Sequence, residues 1–148
     1  YEHIDLLSPN DKFDIITMWH VLEHLPNLKN TIGKIKEHLS PKGYIFMALP
    51  NPESWDSNYY GANWAGYDVP RHLYHFNQKA MFNFLKKCEL NVIDVKPMKF
   101  DAYYISILTE RYLNNPYYFI KGLSKGYRSN QYARVDGQYS SLLYVVNK

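Results

Sequence analysis

Apolar positions change their spacing along the chain, and each spacing predicts a different element. Phe13, Ile15, Ile16, Met18 and Trp19 form a nearly continuous apolar run that only Asp14 and Thr17 interrupt. A short run of this kind predicts a strand buried on both faces, as in a parallel sheet. Leu28, Ile32, Ile35 and Leu39 then recur at helical spacing between a Pro26-Asn27 start and a Pro41-Lys42-Gly43 stop, which predicts an amphipathic helix with one buried stripe. Tyr44 to Leu49 is a second apolar run closed by Pro50-Asn51-Pro52, so strand, helix and strand make a βαβ unit with a right-handed crossover. Ahead of it, Ile4, Leu6 and Leu7 before a Ser-Pro-Asn-Asp turn cluster predict a truncated strand.

Downstream the periods weaken. Residues 53–75 carry Trp55, Tyr59, Tyr60, Trp64, Tyr67 and Tyr74 among glycines and polar residues, and are read as a long functional aromatic loop. Asn77 is the expected cap of a helix carrying Met81, Phe84, Leu85 and Cys88, and Val92 to Val95 follows as a strand. Residues 102–113 and 116–124 predict two aromatic-rich helices broken at Asn114-Asn115-Pro116. With a polar, mobile stretch from Tyr127 to Gly137 they make residues 100–137 a helical insertion and polar loop. Gln138 to Asn147 is the last strand. Periodicity alone gives an α/β class.

The 148 residues fit a single domain, 1–148, and 46% hydrophobic with 21% charged residues is the composition of a folded chain. A net charge of +3 with scattered Lys and Arg gives no basic stripe, so nucleic acid is not an expected partner. Cys88, the single cysteine, has no internal disulfide partner; it is expected to pack as a small apolar residue in a cytoplasmic protein. Fifteen tyrosines point to surfaces where rings pack while hydroxyls stay wet. Tyr117, Tyr118, Phe119 and Ile120, near Lys121, Lys125 and Arg128, have the character of a membrane-surface segment, yet membrane association is not the expected role.

Chemistry gathers where the first apolar run stops. His20, Glu23 and His24 follow it at i, i+3, i+4 spacing, which would put them on one helix face, and open α/β sheets bind ligands at that end of their strands. Pro70-Arg71-His72-Leu73-Tyr74-His75-Phe76 supplies a cation, two imidazoles and a phenol suited to anchoring a polar or anionic acceptor. A structural alternative has Arg71 paired to a neighbouring Asp and the segment fastening the loop to the cap at Asn77.

On FDII, WHVLEH and PRHLYHF the chain resembles the class I S-adenosylmethionine-dependent methyltransferases, over nearly its whole length but matching only the second half of their fold. The resemblance implies a partial Rossmann-like methyltransferase sheet that lacks the first βαβ units and ends in an antiparallel strand lying between its predecessors. It implies S-adenosylmethionine contacts at Asp5, Met18, Trp19 and His20, and catalytic roles for His24 and His72, with His24 placed to take a proton from an acceptor hydroxyl. Trp64, Arg71, Tyr74 and His75 would surround a small-molecule acceptor. The family's glycine-rich turn and ribose-binding acid are not found: Gly61 and Gly66 lie in the aromatic loop, and Gly122 and Gly126 do not follow a strand. Cofactor binding by this chain alone is therefore expected to be weak or absent. Related quinone-ring methyltransferases hold a divalent ion on a similar segment, with a carboxylate where this chain has His20; no metal is expected here. The family also ends its helix with Gly-Phe where this chain has Cys88-Glu89-Leu90. The expected function is methyl transfer to a small-molecule acceptor, with this chain carrying the acceptor side; the alternative is a non-catalytic remnant or interaction subunit. Without its first-strand neighbour, Phe13–Trp19 would be an open edge, so a homo-oligomer or a missing N-terminal half is the expected partner.

Overall fold

The computed structural model describes residues 4–148, with the Asp5 side chain outside the described residues. Ile4–Leu6 is a 3-10 turn rather than the expected truncated strand. β1 (Phe13–Trp19) pairs in parallel with β2 (Leu39–Pro50), and α1 (Leu28–His38) crosses between them. Ile32 and Ile35 form the buried stripe of α1, as their spacing predicted. Pro41-Lys42-Gly43 does not end the helix. Leu39 is already extended, at φ −75° and ψ 130°, and β2 starts there. The register slips, from Phe13 opposite Leu39 to Ile15 opposite Tyr44, and this irregular stretch absorbs the proline. A Cβ on Gly43 would stand 3.0 Å from the carbonyl oxygens of Phe13 and Asp14, so the close approach of the two strands needs glycine there.

Residues 53–75 are more ordered than their lack of period suggested: α2 (Trp55–Tyr60) is followed by 3-10 turns at Gly61–Asn63 and Ala65–Tyr67. Ser54 caps α2 and Asn77 caps α3 (Gln78–Lys87), the Asn77 side chain accepting from the Ala80 N–H at 2.8 Å. β3 (Asn91–Pro97), α4 (Lys99–Tyr112), α5 (Tyr118–Asp136) and β4 (Ser141–Asn147) complete the chain. The sheet order is β1-β2-β4-β3, with β4 antiparallel to both neighbours. This order, with an antiparallel last strand between its predecessors, is the one the resemblance implied.

Two further expectations are corrected. β1 is not buried on both faces: Met18 is buried, but Ile15 is 62% and Trp19 52% exposed, because side chains alternate and only the face carrying Ile16 and Met18 packs on the core. The stretch from Tyr127 is not a mobile loop, since α5 runs on to Asp136 and stops where Gly137 turns left-handed at φ 76°. Its buried stripe is Gly122, Gly126, Ser129, Asn130 and Ala133, small or polar residues invisible to a hydrophobic pattern. They let α5 lie against α4 backbone to backbone. A Cβ on Gly122 would fall 2.4 Å from Ile107 Cα, and one on Gly126 2.6 Å from Tyr103 Cα.

One core cluster joins Met18 of β1 and Met47 of β2 to Ile32 of α1, Leu85 of α3 and Tyr144 of β4. A second holds Tyr60, Trp64 and Ile105 beneath the segment that follows α2.

Candidate active site

The carboxyl end of β1 turns sharply at His20, whose φ of 51° lies in the left-handed region. The His20 N–H still donates to the Ala48 carbonyl at 3.1 Å, so the turn is tied to β2. Leu22–His24 is a 3-10 turn, which corrects the single helix face expected for His20, Glu23 and His24. Instead His20 reaches across to Asp101 in the first turn of α4, with Nε2 3.1 Å from Asp101 Oδ2. Its Nδ1 lies 3.3 Å from Glu23 Oε1. The hydrogen bond to Asp101, with Glu23 next, lifts the His20 pKa to about 9 against the opposing effect of burial, so the ring is a cation at neutral pH.

The PRHLYHF segment folds over the same turn. The Leu73 N–H donates to the Glu23 carbonyl at 2.8 Å. His24 Nδ1 donates to the Arg71 carbonyl at 3.0 Å, and His72 Nδ1 donates to the Gly66 carbonyl at 3.0 Å. In the neutral form of either ring, this bond selects the tautomer whose Nε2 is an acceptor. The two rings meet edge to face with centroids 4.6 Å apart. Burial lowers the His72 pKa, which keeps that ring neutral. Glu23 is 1% exposed, and apart from the ion pair of Oε1 with His20 its carboxylate has no hydrogen-bond partner among the described residues. Glu23, His24 and His72 each offer one ligand atom within 4.8 Å of the others. Two imidazoles and a carboxylate suit zinc or iron better than magnesium.

His20, His24, Arg71, His72 and Asp101 line a cleft of ≈ 490 Å³ whose far wall is Tyr104, Ile105, Leu108 and Tyr112 of α4. Four residues singled out in the sequence thus converge. The others are placed elsewhere. Trp64 is 2% exposed and its indole N–H donates to Asp56 at 2.7 Å, so it supports the segment from within the second core cluster and does not face the cleft. Asp56, fully buried, also accepts from Ser129 at 2.6 Å and Ser140 at 2.7 Å. Tyr74 donates its hydroxyl to the Pro26 carbonyl at 3.4 Å and His75 donates to the Tyr67 carbonyl at 2.9 Å, both fastening the segment outside the cleft. Arg71 follows the structural alternative: Nη2 is 2.5 Å and Nε 3.1 Å from Asp68 Oδ1. Met18 is packed in the core, whereas Trp19 presents a half-exposed ring at the end of β1. Asp101 and the α4 wall were missed, because no spacing signals a contact spanning 81 residues.

A family model described as a methyltransferase domain matches residues 1–95. The chain belongs to that family. Its class is the S-adenosylmethionine-dependent methyltransferases, and curated relatives in it include a ubiquinone biosynthesis O-methyltransferase of Actinobacillus pleuropneumoniae, 28% identical over 112 residues. That match covers 71% of this chain and 46% of the relative, so the chain spans about half the length of such proteins. Among solved structures, an S-adenosylmethionine-dependent methyltransferase from Clostridium acetobutylicum superposes with a TM-score of 0.57 at 15% identity, covering 98% of this chain and 62% of that one. The cyclase SpnF superposes with a TM-score of 0.58 at 13% identity, covering 98% of this chain and 53% of that one. These likenesses establish the methyltransferase fold; that the same fold carries a cyclase means the chemistry has to be argued from the site.

Proposed function

We propose that this chain is the acceptor side of an S-adenosylmethionine-dependent methyltransferase acting on a small molecule. The observation that carries the reading is the pair of imidazoles whose Nδ1 atoms are locked onto backbone carbonyls, leaving His24 Nε2 and His72 Nε2 as acceptors at a cleft beside the carboxyl end of β1. When bound, S-adenosylmethionine supplies an electrophilic methyl group on a positively charged sulfur. Trp19 is the residue here that fits its methionine or adenosine part, as an exposed ring at the ligand-binding end of the strand. His24, the more exposed of the two, takes the acceptor proton at Nε2 and returns it to water. His72 accepts a hydrogen bond from the same acceptor and orients it, while the apolar wall of α4 excludes water.

The test has two parts. Calorimetric titration of the chain with S-adenosylhomocysteine should give a dissociation constant above ~1 mM, because the glycine turn that holds such a ligand is not among these residues. In a protein that carries that turn as well, His24→Ala should lower kcat about 10²–10⁴-fold with cofactor affinity unchanged. Unchanged turnover would remove His24 from the chemistry and favour a non-catalytic role.

A second reading rests on Glu23. Its buried carboxylate faces His72 Nε2 at 3.9 Å, lone pair toward lone pair, an arrangement that a divalent ion held by Glu23, His24 and His72 would satisfy. Zinc titration with and without Glu23→Gln separates the readings: only the second requires stoichiometric zinc whose binding is lost in the variant.

A further inference from the structure

From Arg111 to Val135 the chain contains no Asp or Glu, although fourteen acidic residues occur elsewhere in it. Arg111, Lys121, Lys125, Arg128 and Arg134 lie in that span, and none is paired to a carboxylate among the described residues. Lys125 instead sits over the Tyr59 ring at 4.0 Å and Arg128 over Trp55 at 5.5 Å, contacts that leave their positive charge in place. The turn between α4 and α5 and the first turn of α5 carry Tyr117, Phe119 and Ile120 at 66%, 55% and 70% exposure. Because α5 commits Gly122, Gly126, Ser129 and Ala133 to α4, helical geometry sends Ile120, Leu123 and Tyr127 outward, and all three are exposed.

We propose that this end of the α4–α5 hairpin docks onto an anionic lipid bilayer. Phe119 and Ile120 enter the boundary between headgroups and acyl chains. The tyrosines lie at headgroup level, where a ring with a polar tip is favoured, and Lys121 and Lys125, the cations of α5 nearest that end, meet lipid phosphates. Charge selects this occupant over a protein surface. The core of a protein–protein patch is depleted of lysine, whereas lysines beside apolar side chains suit a bilayer, because their stems lie along the apolar layer while their heads reach the phosphates. None of the described helices is long and apolar enough to cross the membrane, so the contact is one of surface docking. Tyr112, 56% exposed at the base of the turn, also lines the cleft, so the docked surface adjoins the cleft mouth.

The experiment is co-sedimentation of the protein with vesicles of phosphatidylcholine mixed with phosphatidylglycerol, beside vesicles of phosphatidylcholine alone. At low salt the mixed vesicles should retain at least ~10-fold more protein, and raising the salt should remove most of that difference. Phe119→Ser with Ile120→Ser should abolish retention while circular dichroism and the melting curve stay unchanged, and Lys121→Gln with Lys125→Gln should weaken it. No retention, equal retention on both lipids, or retention indifferent to the Phe119/Ile120 variant overturns the proposal. So does a dimer in lipid-free sedimentation that this variant splits, which would make a second copy the occupant.

Discussion

At the scale of single residues, His20 links the end of β1 to α4 and carries a clear pH signature. Its pKa stands at about 9 against an ordinary 6.5, raised by the hydrogen bond to Asp101 and by Glu23. A raised pKa means that the folded state binds the proton more tightly than the unfolded one, so the contribution to stability is whole below pH 6.5 and disappears as pH rises through about 9. Denaturant titrations from pH 6 to 10 should therefore show stability falling across that window, and Asp101→Asn should flatten the fall; an NMR titration of the imidazole gives the pKa directly. Of this site the histidines were legible, because WHVLEH and PRHLYHF carry them in recognisable strings. Asp101 was not, since its neighbours Phe100 and Tyr103 announce only a helix. Glu89 was legible as a departure: the family has glycine where its φ is 56°, and the chain tolerates glutamate there with Lys36 2.6 Å away.

Among the elements, α1 and α3, whose burial is written in large apolar residues at helical spacing, were read correctly, whereas the apolar run of β1 hid a face that lies open. The Ile32 and Ile35 stripe of α1 and the Asn77 cap of α3 needed nothing beyond spacing and one side-chain hydrogen bond. α5 was truncated in that reading because its contact face is written in glycine, serine and alanine. The same face makes a prediction. Gly122→Leu forces a side chain into the space of the Ile107 backbone, and the hairpin has to open or shift. The expected loss is about 1–3 kcal/mol or more, measured by denaturant unfolding. Gly33→Ala, a helical glycine with nothing within 4 Å of its added Cβ, should be neutral or stabilising.

For the whole molecule, β1 is the edge strand of the described sheet. Among the described residues its outer edge pairs with no strand, and it is flanked by Ile15 and Trp19 with no lysine or proline in the strand to blunt it. Self-association through this edge is expected in sedimentation at micromolar concentration, and Ile15→Lys should return the protein to monomer; a monomeric starting protein would defeat the idea. The strand order was legible only through the family strings, because Ser141–Asn147 as a sequence does not say which two strands it enters between. That insertion bears on how the chain is made. β2 and β3 leave the ribosome with an empty lane between them, and neither gains its shared neighbour until β4, the last described strand, has cleared the exit channel. The Ser140 partner of buried Asp56 emerges just ahead of that strand. Ribosome-stalled chains that still hold Ser141–Asn147 inside the tunnel should thus resemble an open, protease-sensitive collapse, and the sheet should close in one late step as that strand is released.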